Sequence, residues 1–182
     1  MKISEKSKIY GQCVSLFFRS VLVASIVFST VAMAGAETVA VNDFVELQMA
    51  IGNNSQNYIN VKQDIPFTDE IVINRSDFTI SGPGEGEEVE LNGNGEHRFF
   101  TIGENAKNIS LKNLHLENGS SGVVSDHNSG GGAIHMSKGV VVNLEGLTFS
   151  NNQTRSRGGA IYSWGTDGSN RNSLNFTGKT IF

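Results

Sequence analysis

The sequence predicts an all-β protein: a right-handed, single-stranded parallel β-helix in which each coil consists of two or three short strands. Three observations predict this fold. The tetrapeptide Gly-Gly-Ala-Ile occurs at 131–134 and again at 158–161. A segment that begins at Ile109 matches one that begins at Val142, with a constant offset of 33 residues. Short alternating apolar segments, separated by turns rich in Gly, Pro and Asn, precede both.

Residues 1–36 have the pattern of a secretory signal peptide. Basic residues precede an apolar run at 21–28, and Ala34 and Ala36 are the candidate cleavage positions. The run is too short for a membrane span, which favours a signal peptide. The alternative is a non-cleaved anchor. The single cysteine, Cys13, lies in this segment. Export would therefore leave a mature chain without thiols.

The charge of the mature chain argues against nucleic acid as a partner. Removing residues 1–36 takes away four basic residues and Glu5, which changes the formal net charge from −4 to −7. The remaining sequence shows no basic patch and no alternation of aromatic and basic residues. Mild acidity is instead suited to an exported surface.

Residues 37–57 are predicted to form an N-terminal cap that contains one amphipathic helix, within 42–53. Asp43 is a suitable N-cap, Glu46 follows three positions later, and Gly52 ends the helix. An amphipathic helix at this place would cover the open end of a β-helix, whose unpaired backbone groups invite association. Its apolar face consists of Phe44, Leu47 and Ile51.

Residues 58–182 are predicted to form the β-helix, truncated at its C-terminus. We expect the segments 59–61, 78–80 and 99–102 to form one series of strands, with 71–73, 89–91 and 109–111 as a second series between them. A third copy of the longer repeat begins at Leu174 with an offset of 32 and places Ile181 at the position of Phe149. Phe149 should then stack below Ile181. Because Phe182 falls inside this copy, the sequence predicts a fragment of a longer product.

The repeated residues have a structural interpretation. Gly131 and Gly158 would permit a positive φ or a close approach by a neighbouring coil, and Asn152 would lie in a turn where its amide can bond to the next coil. The small alanines suit a crowded corner, and the isoleucines suit the core. The predicted structural motif consists of Gly131, Gly132, Ala133, Ile134, Phe149, Asn152, Gly158, Gly159, Ala160 and Ile161.

This motif resembles the repeats of the polymorphic outer-membrane proteins, which are autotransporters best known from chlamydiae. Gly-Gly-Ala-Ile and Phe-x-x-Asn recur in the passenger segments of that family, and the resemblance covers residues 109–182 directly. The first copy departs from the pattern, with Leu116 and Gly119 in place of Phe and Asn. The resemblance implies a secreted or surface-exposed passenger, an adhesin or surface scaffold held at the outer membrane by a C-terminal barrel absent from this chain. The receptor, a host-cell or surface protein or a glycan, is not identified.

The sequence predicts no catalytic residue, metal ligand or cofactor. Pectin-cleaving lyases and hydrolases share the β-helix fold but cluster aspartates on one coil face, for calcium or for acid–base chemistry. The aspartates here are scattered, and the pair Asp126–His127 falls in a Ser/Gly/Asn loop. His115 and His135 should point outward, and no two histidines have the spacing of zinc ligands. A polysaccharide lyase or glycoside hydrolase remains the alternative function, and a non-functional fragment is a third.

The aromatic residues after the second tetrapeptide leave two interpretations open. These are Tyr162 and Trp164, which are two positions apart. An exposed aromatic side chain there would contact a sugar or a receptor, whereas an inward one would only pack in the core or a turn.

Overall fold

The computed structural model describes residues 37–84, 87–104, 106–122, 130–165 and 171–182. The predicted signal peptide at 1–36, with Ala34 and Ala36, lies outside the described residues, and so does the pair Asp126–His127. Within the described residues, no helix is long and apolar enough to cross a membrane.

In the part of the chain that the structure describes, three parallel sheets form the β-helix, and from β2 onward the chain passes through them in the same order in each coil. Sheet A contains β1 (Glu37–Val41), β2 (Gln56–Val61), β5 (Phe78–Ser81), β8 (Ile109–Lys112), β11 (Val141–Glu145) and β14 (Ser173–Thr177). Sheet B contains β3 (Ile65–Pro66), β6 (Val89–Asn92), β9 (Leu114–Glu117) and β12 (Thr148–Ser150). Sheet C contains β4 (Ile71–Ile73), β7 (Phe100–Ile102), β10 (Ile134–Met136) and β13 (Ile161–Ser163). All strand pairs are parallel, which confirms the predicted β-helix.

The core is built from columns of apolar side chains, one from each coil. Because successive strand residues point to opposite faces, alternate residues enter the interior. Ile59, Ile80, Leu111 and Leu144 occupy equivalent positions in sheet A and are all fully buried. Each such side chain contributes roughly 1.5–3 kcal/mol through burial. The columns therefore hold the coils together along the whole stack.

The grouping of strands into two series was wrong. The segment 99–102 joins 71–73 in sheet C, whereas 109–111 joins 59–61 and 78–80 in sheet A. The segment 89–91 belongs to sheet B. The coils differ in length because residues are inserted in the turns, so even spacing along the sequence does not identify which strands pair.

The corners between sheets use residues in the left-handed region. Between sheets A and B, Asn113 has φ 51°, Gly146 has φ 61° and Gly178 has φ 66°. At the end of sheet B, Asn118 and Asn151 have φ values of 57° and 52°. Asparagine and glycine adopt this conformation at low cost. The corners therefore explain why these two residue types recur at coil spacing.

The capping helix α1 extends from Phe44 to Gly52, as predicted. The Asp43 side chain accepts a 2.8 Å hydrogen bond from the backbone N–H of Glu46, and the Glu46 carboxylate accepts one from the N–H of Asn42. The apolar face of the helix is buried, and the Phe44 ring packs edge-on against Phe67 with centroids 5.2 Å apart. The helix therefore packs on the apolar core, next to strands of sheets A and C.

Candidate functional site

The two Gly-Gly-Ala-Ile copies lie one on the other where the chain enters sheet C. The backbone N–H of Gly132 donates to Gly159 O at 2.7 Å, and that of Ala133 donates to Ala160 O at 2.8 Å. The strands that follow pair Ile134 with Ile161. Parallel pairing therefore begins in the turn itself, before the strands start.

The glycines of the motif are not equivalent. Gly131 and Gly158 have φ values of 85° and 66°, a backbone conformation that is strained for residues with a side chain. A Cβ atom on Gly132 would lie 2.4 Å from Gln153 O and 2.5 Å from Gly159 O, whereas one on Gly159 would make only an ordinary contact at 3.4 Å. Three of the four glycines are thus required by conformation or by close approach.

The Phe-x-x-Asn unit joins two coils. Asn152 accepts a 2.8 Å hydrogen bond from Gly119 N–H through Oδ1 and donates a 2.9 Å bond from Nδ2 to Leu116 O. Both partners belong to the preceding coil, so the side-chain amide of Asn152 satisfies one backbone N–H and one backbone carbonyl at the corner of that coil. Phe149 is buried in the core.

The expected partner of Phe149 was wrong by one position. Ile181 pairs with Thr148, and the Phe182 ring stacks on Phe149 with centroids 5.1 Å apart and an interplanar angle of 5°. The offset between paired residues of these two coils is 32 in sheet A but one residue more at Thr148, because the turn after Gly178 is one residue longer than the turn after Gly146. A repeat aligned without a gap misses this insertion.

The Arg98 side chain lies beside the Gly-Gly turns and donates several hydrogen bonds there. Its Nε donates to Gly131 O at 2.7 Å and its Nη2 to Gly130 O at 3.2 Å. Its Nη1 donates to Glu70 Oε1 and to Thr101 Oγ1, both at 2.9 Å. The Arg98 side chain is 9% exposed, against 33% for Glu70. The guanidinium therefore connects three consecutive coils and holds the Gly-Gly turn in place.

Arg98 is not among the candidate functional residues that the sequence predicts. A usable signal existed, because Arg98 precedes Gly131 by 33 residues, the offset of the repeat. Glu70, however, precedes Arg98 by 28 residues, so the ion pair does not follow the same offset.

His135 lies outward on β10, as expected, yet is only 7% exposed. Tyr162 covers it, with ring centroids 5.5 Å apart, and its Nδ1 lies 3.2 Å from Gly130 O. Burial lowers the pKa of His135, and the positive charge of Arg98 adds to that effect, while the Gly130 carbonyl and Glu70 oppose it. The buried imidazole is thus held mainly in its neutral form.

We call the outer surface formed by Thr101, His135, Tyr162, Trp164 and Lys138 the sheet C face. Tyr162 and Trp164 are half-buried there, and the Lys138 ammonium lies 4.4 Å from the centre of the Trp164 ring. The Trp164 backbone N–H donates to Met136 O at 2.8 Å, which fixes the position of the chain. The face thus presents two partly accessible aromatic rings beside a cation.

A second polar group lies on the outside of sheet B. Pairing of β6 with β9 places Glu90 beside His115, and Glu117 follows two positions later on the same face. Each offers a ligand atom within 4.8 Å of the others, and all three are half-buried. Spacing between histidines could not reveal this group, because the partners of His115 are glutamates on its own and the preceding coil.

A polar groove of about 440 Å³ lies at the corner between sheets B and C. Its walls include Glu96, Ser120 and Arg155. Arg155 and Arg157 are exposed.

The family model described as Putative pectate lyase-like adhesive domain matches residues 38–156. The matched region includes the capping helix, the first Gly-Gly-Ala-Ile copy, Phe149 and Asn152, and it ends before the second copy. No curated protein and no solved structure matches the chain.

Proposed function

Because the chain belongs to the pectate lyase-like adhesive domain family, we propose that it is the adhesive passenger of an exported surface protein and that it acts without catalysis. The Gly-Gly-Ala-Ile and Phe-x-x-Asn repeats support an autotransporter origin of the polymorphic outer-membrane type. In such a product a C-terminal barrel outside this chain would hold the β-helix at the outer membrane.

One observation carries the non-catalytic part of the proposal. Arg98 and Glu70, the ion pair beside the Gly-Gly turns, are bound to each other, to Thr101 and to two backbone carbonyls. A general base must reach the proton it abstracts, and a charge stabiliser must face the substrate. Groups held by the protein's own backbone in this way act as structural clamps.

The sheet C face is the contact surface that we propose. Tyr162 and Trp164 present broad, rigid apolar area with a polar atom at the edge, and such residues contribute a large share of binding energy at protein interfaces. Lys138 beside Trp164 adds a cation that would favour an acidic partner. A glycan or a surface receptor bearing acidic groups fits this combination.

The test uses the full chain on two probes: an immobilised panel of acidic glycans and soluble polygalacturonate. We expect saturable binding to the immobilised glycans and no new reducing ends from polygalacturonate. Trp164→Ala should weaken binding at least tenfold with an unchanged far-UV circular dichroism spectrum. Met49→Ala, which shortens a 69% exposed side chain on the capping helix, is the matched control and should bind as the wild type does.

Two results would overturn the proposal. Depolymerisation of polygalacturonate by the wild-type chain would establish the lyase or hydrolase alternative. Binding that is absent, or equally strong in the Trp164→Ala variant, would remove the sheet C face as an adhesive surface.

A further inference from the structure

We propose that Glu90, His115 and Glu117 form a binding site for a divalent transition metal ion on the outer face of sheet B, with Zn²⁺ as the best-fitting ion. The three residues lie on two adjacent strands, β6 and β9, whose pairing fixes the register between them. Their ligand atoms lie within 4.8 Å of one another. The site is distinct from the sheet C face and does not depend on the adhesive function.

The distances suit closure around an ion. Zinc binds imidazole nitrogen and carboxylate oxygen at about 2.0–2.2 Å, so ligand atoms in a tetrahedral site lie roughly 3.3 Å apart. Rotations about the glutamate side-chain bonds are enough to bring the carboxylates from the observed separation to that distance. The strands beneath need not move, because all three side chains point outward from the same sheet.

Neighbouring polar groups already orient the three side chains. The Ser150 hydroxyl lies 2.7 Å from His115 Nε2. Asn92 Nδ2 donates to Glu90 Oε1 at 2.7 Å, and Asn151 Nδ2 donates to Glu117 Oε1 at 3.2 Å. With Nε2–H donating to Ser150, Nδ1 of His115 keeps its lone pair for a metal. Protein metal ligands are commonly held by hydrogen bonds of this kind.

Charge balance gives an independent argument. Among the described residues, neither Glu90 nor Glu117 has a lysine or arginine nitrogen within 4.0 Å, and the Lys112 ammonium, at the end of β8, pairs with Glu145 at 2.6 Å. Two carboxylates at this separation repel each other. A divalent cation between them would remove that repulsion.

The donor set selects the class of ion. One imidazole with two carboxylates is a mixed nitrogen and oxygen set that favours Zn²⁺ and its neighbours over the all-oxygen sites of Ca²⁺ and Mg²⁺. Three protein ligands leave at least one coordination position for water or for a donor from outside the chain. The site would therefore hold an accessible ion.

The experiment is calorimetric titration of the metal-free full chain with Zn²⁺, repeated with Ca²⁺ and Mg²⁺. We expect one Zn²⁺ site per chain and much weaker binding of the other two ions. His115→Asn and Glu117→Gln should each weaken Zn²⁺ binding by at least 100-fold, because loss of an orienting neighbour alone costs 10–100-fold. Ser150→Ala, which removes only such a neighbour, should weaken it by about tenfold.

Matched controls separate this site from other histidines. His97→Asn changes a histidine in a turn beside Glu96, and His127→Asn changes one outside the described residues. Both should bind Zn²⁺ as the wild type does, and unfolding curves without metal should show that each variant folds. Absence of Zn²⁺ binding, or wild-type affinity in His115→Asn, would overturn the proposal, and so would tighter binding of Ca²⁺ than of Zn²⁺.

Discussion

Replacing Arg98 by methionine should destabilise the β-helix by about 3 kcal/mol. The change retains an apolar stem of similar length but removes every hydrogen bond that Arg98 itself donates to Gly131 O, Gly130 O, Glu70 and Thr101. Breaking a buried ion pair by removing one partner costs roughly 3–5 kcal/mol. We take the lower limit because Glu70 is 33% exposed and can be rehydrated once it loses its partner.

The companion variant Glu70→Gln separates charge from hydrogen bonding. A glutamine oxygen at this position still accepts from Arg98 and Thr101, so only the ionic part is lost and the expected cost is about 1 kcal/mol. Arg155→Met is the matched control, because Arg155 is exposed and its loss should change stability by less than about 0.5 kcal/mol.

The assay is urea unfolding of the full chain, followed by far-UV circular dichroism and by the fluorescence of Trp164, the single tryptophan. Agreement between the two probes tests whether the repeats unfold together. In a thermal scan, 3 kcal/mol corresponds to a decrease in Tm of roughly 6–12 °C. If Arg98→Met loses less than about 1 kcal/mol, or no more than Arg155→Met, the guanidinium does not hold the Gly-Gly turn as we infer.

Two other changes test the corner amide and the buried imidazole. Asn152→Ala removes two hydrogen bonds between coils and should lower the free energy of urea unfolding by about 2 kcal/mol. The control Asn175→Ala, at an exposed amide pair, should lower it by less than about 0.5 kcal/mol. Equal losses in the two variants would contradict the bridging role of Asn152. Because burial holds the pKa of His135 below its ordinary value of 6.5, the unfolded chain takes up its proton first as pH falls. The wild type should thus lose stability relative to His135→Gln below about pH 6.5, and parallel unfolding free energies between about pH 7.5 and 5.0 would refute this.

Features set by local residues could be predicted from the sequence. The Asp43 and Glu46 pattern gives the start of the helix, because a cap is made by residues three apart. Alternation of apolar and polar residues in a segment such as 114–117 predicts which side chains enter the core. The paired turns around Gly131 and Gly158 are visible because the same backbone event is repeated with nearly the same neighbours.

Features set by the register between coils could not be predicted in the same way. Hydrogen-bonded residues in adjacent coils are 33 positions apart in the sequence for Gly119 and Asn152, but only 26 positions apart for Asn92 and Asn118. The extra residues fall between strands along the chain, so the same three sheets are paired in coils of different length. Each insertion changes which side chains become neighbours, so the ion pair of Arg98 and the group around His115 appear only once the strands are paired.

The same register separates the residues that stabilise the fold from those that remain available for binding. Inward positions and corners are constrained by the columns of apolar side chains and by positive φ values. Outward positions on sheets B and C are not constrained in this way, except at Arg98, which reaches across to the Gly-Gly turn, and at His135, which is buried against Tyr162. We therefore expect replacements of side chains such as His115 and Trp164 to have little effect on stability while they weaken the proposed binding of Zn²⁺ and of a surface ligand. An extended surface of this kind binds through many outward residues, so function can vary while the coil is retained.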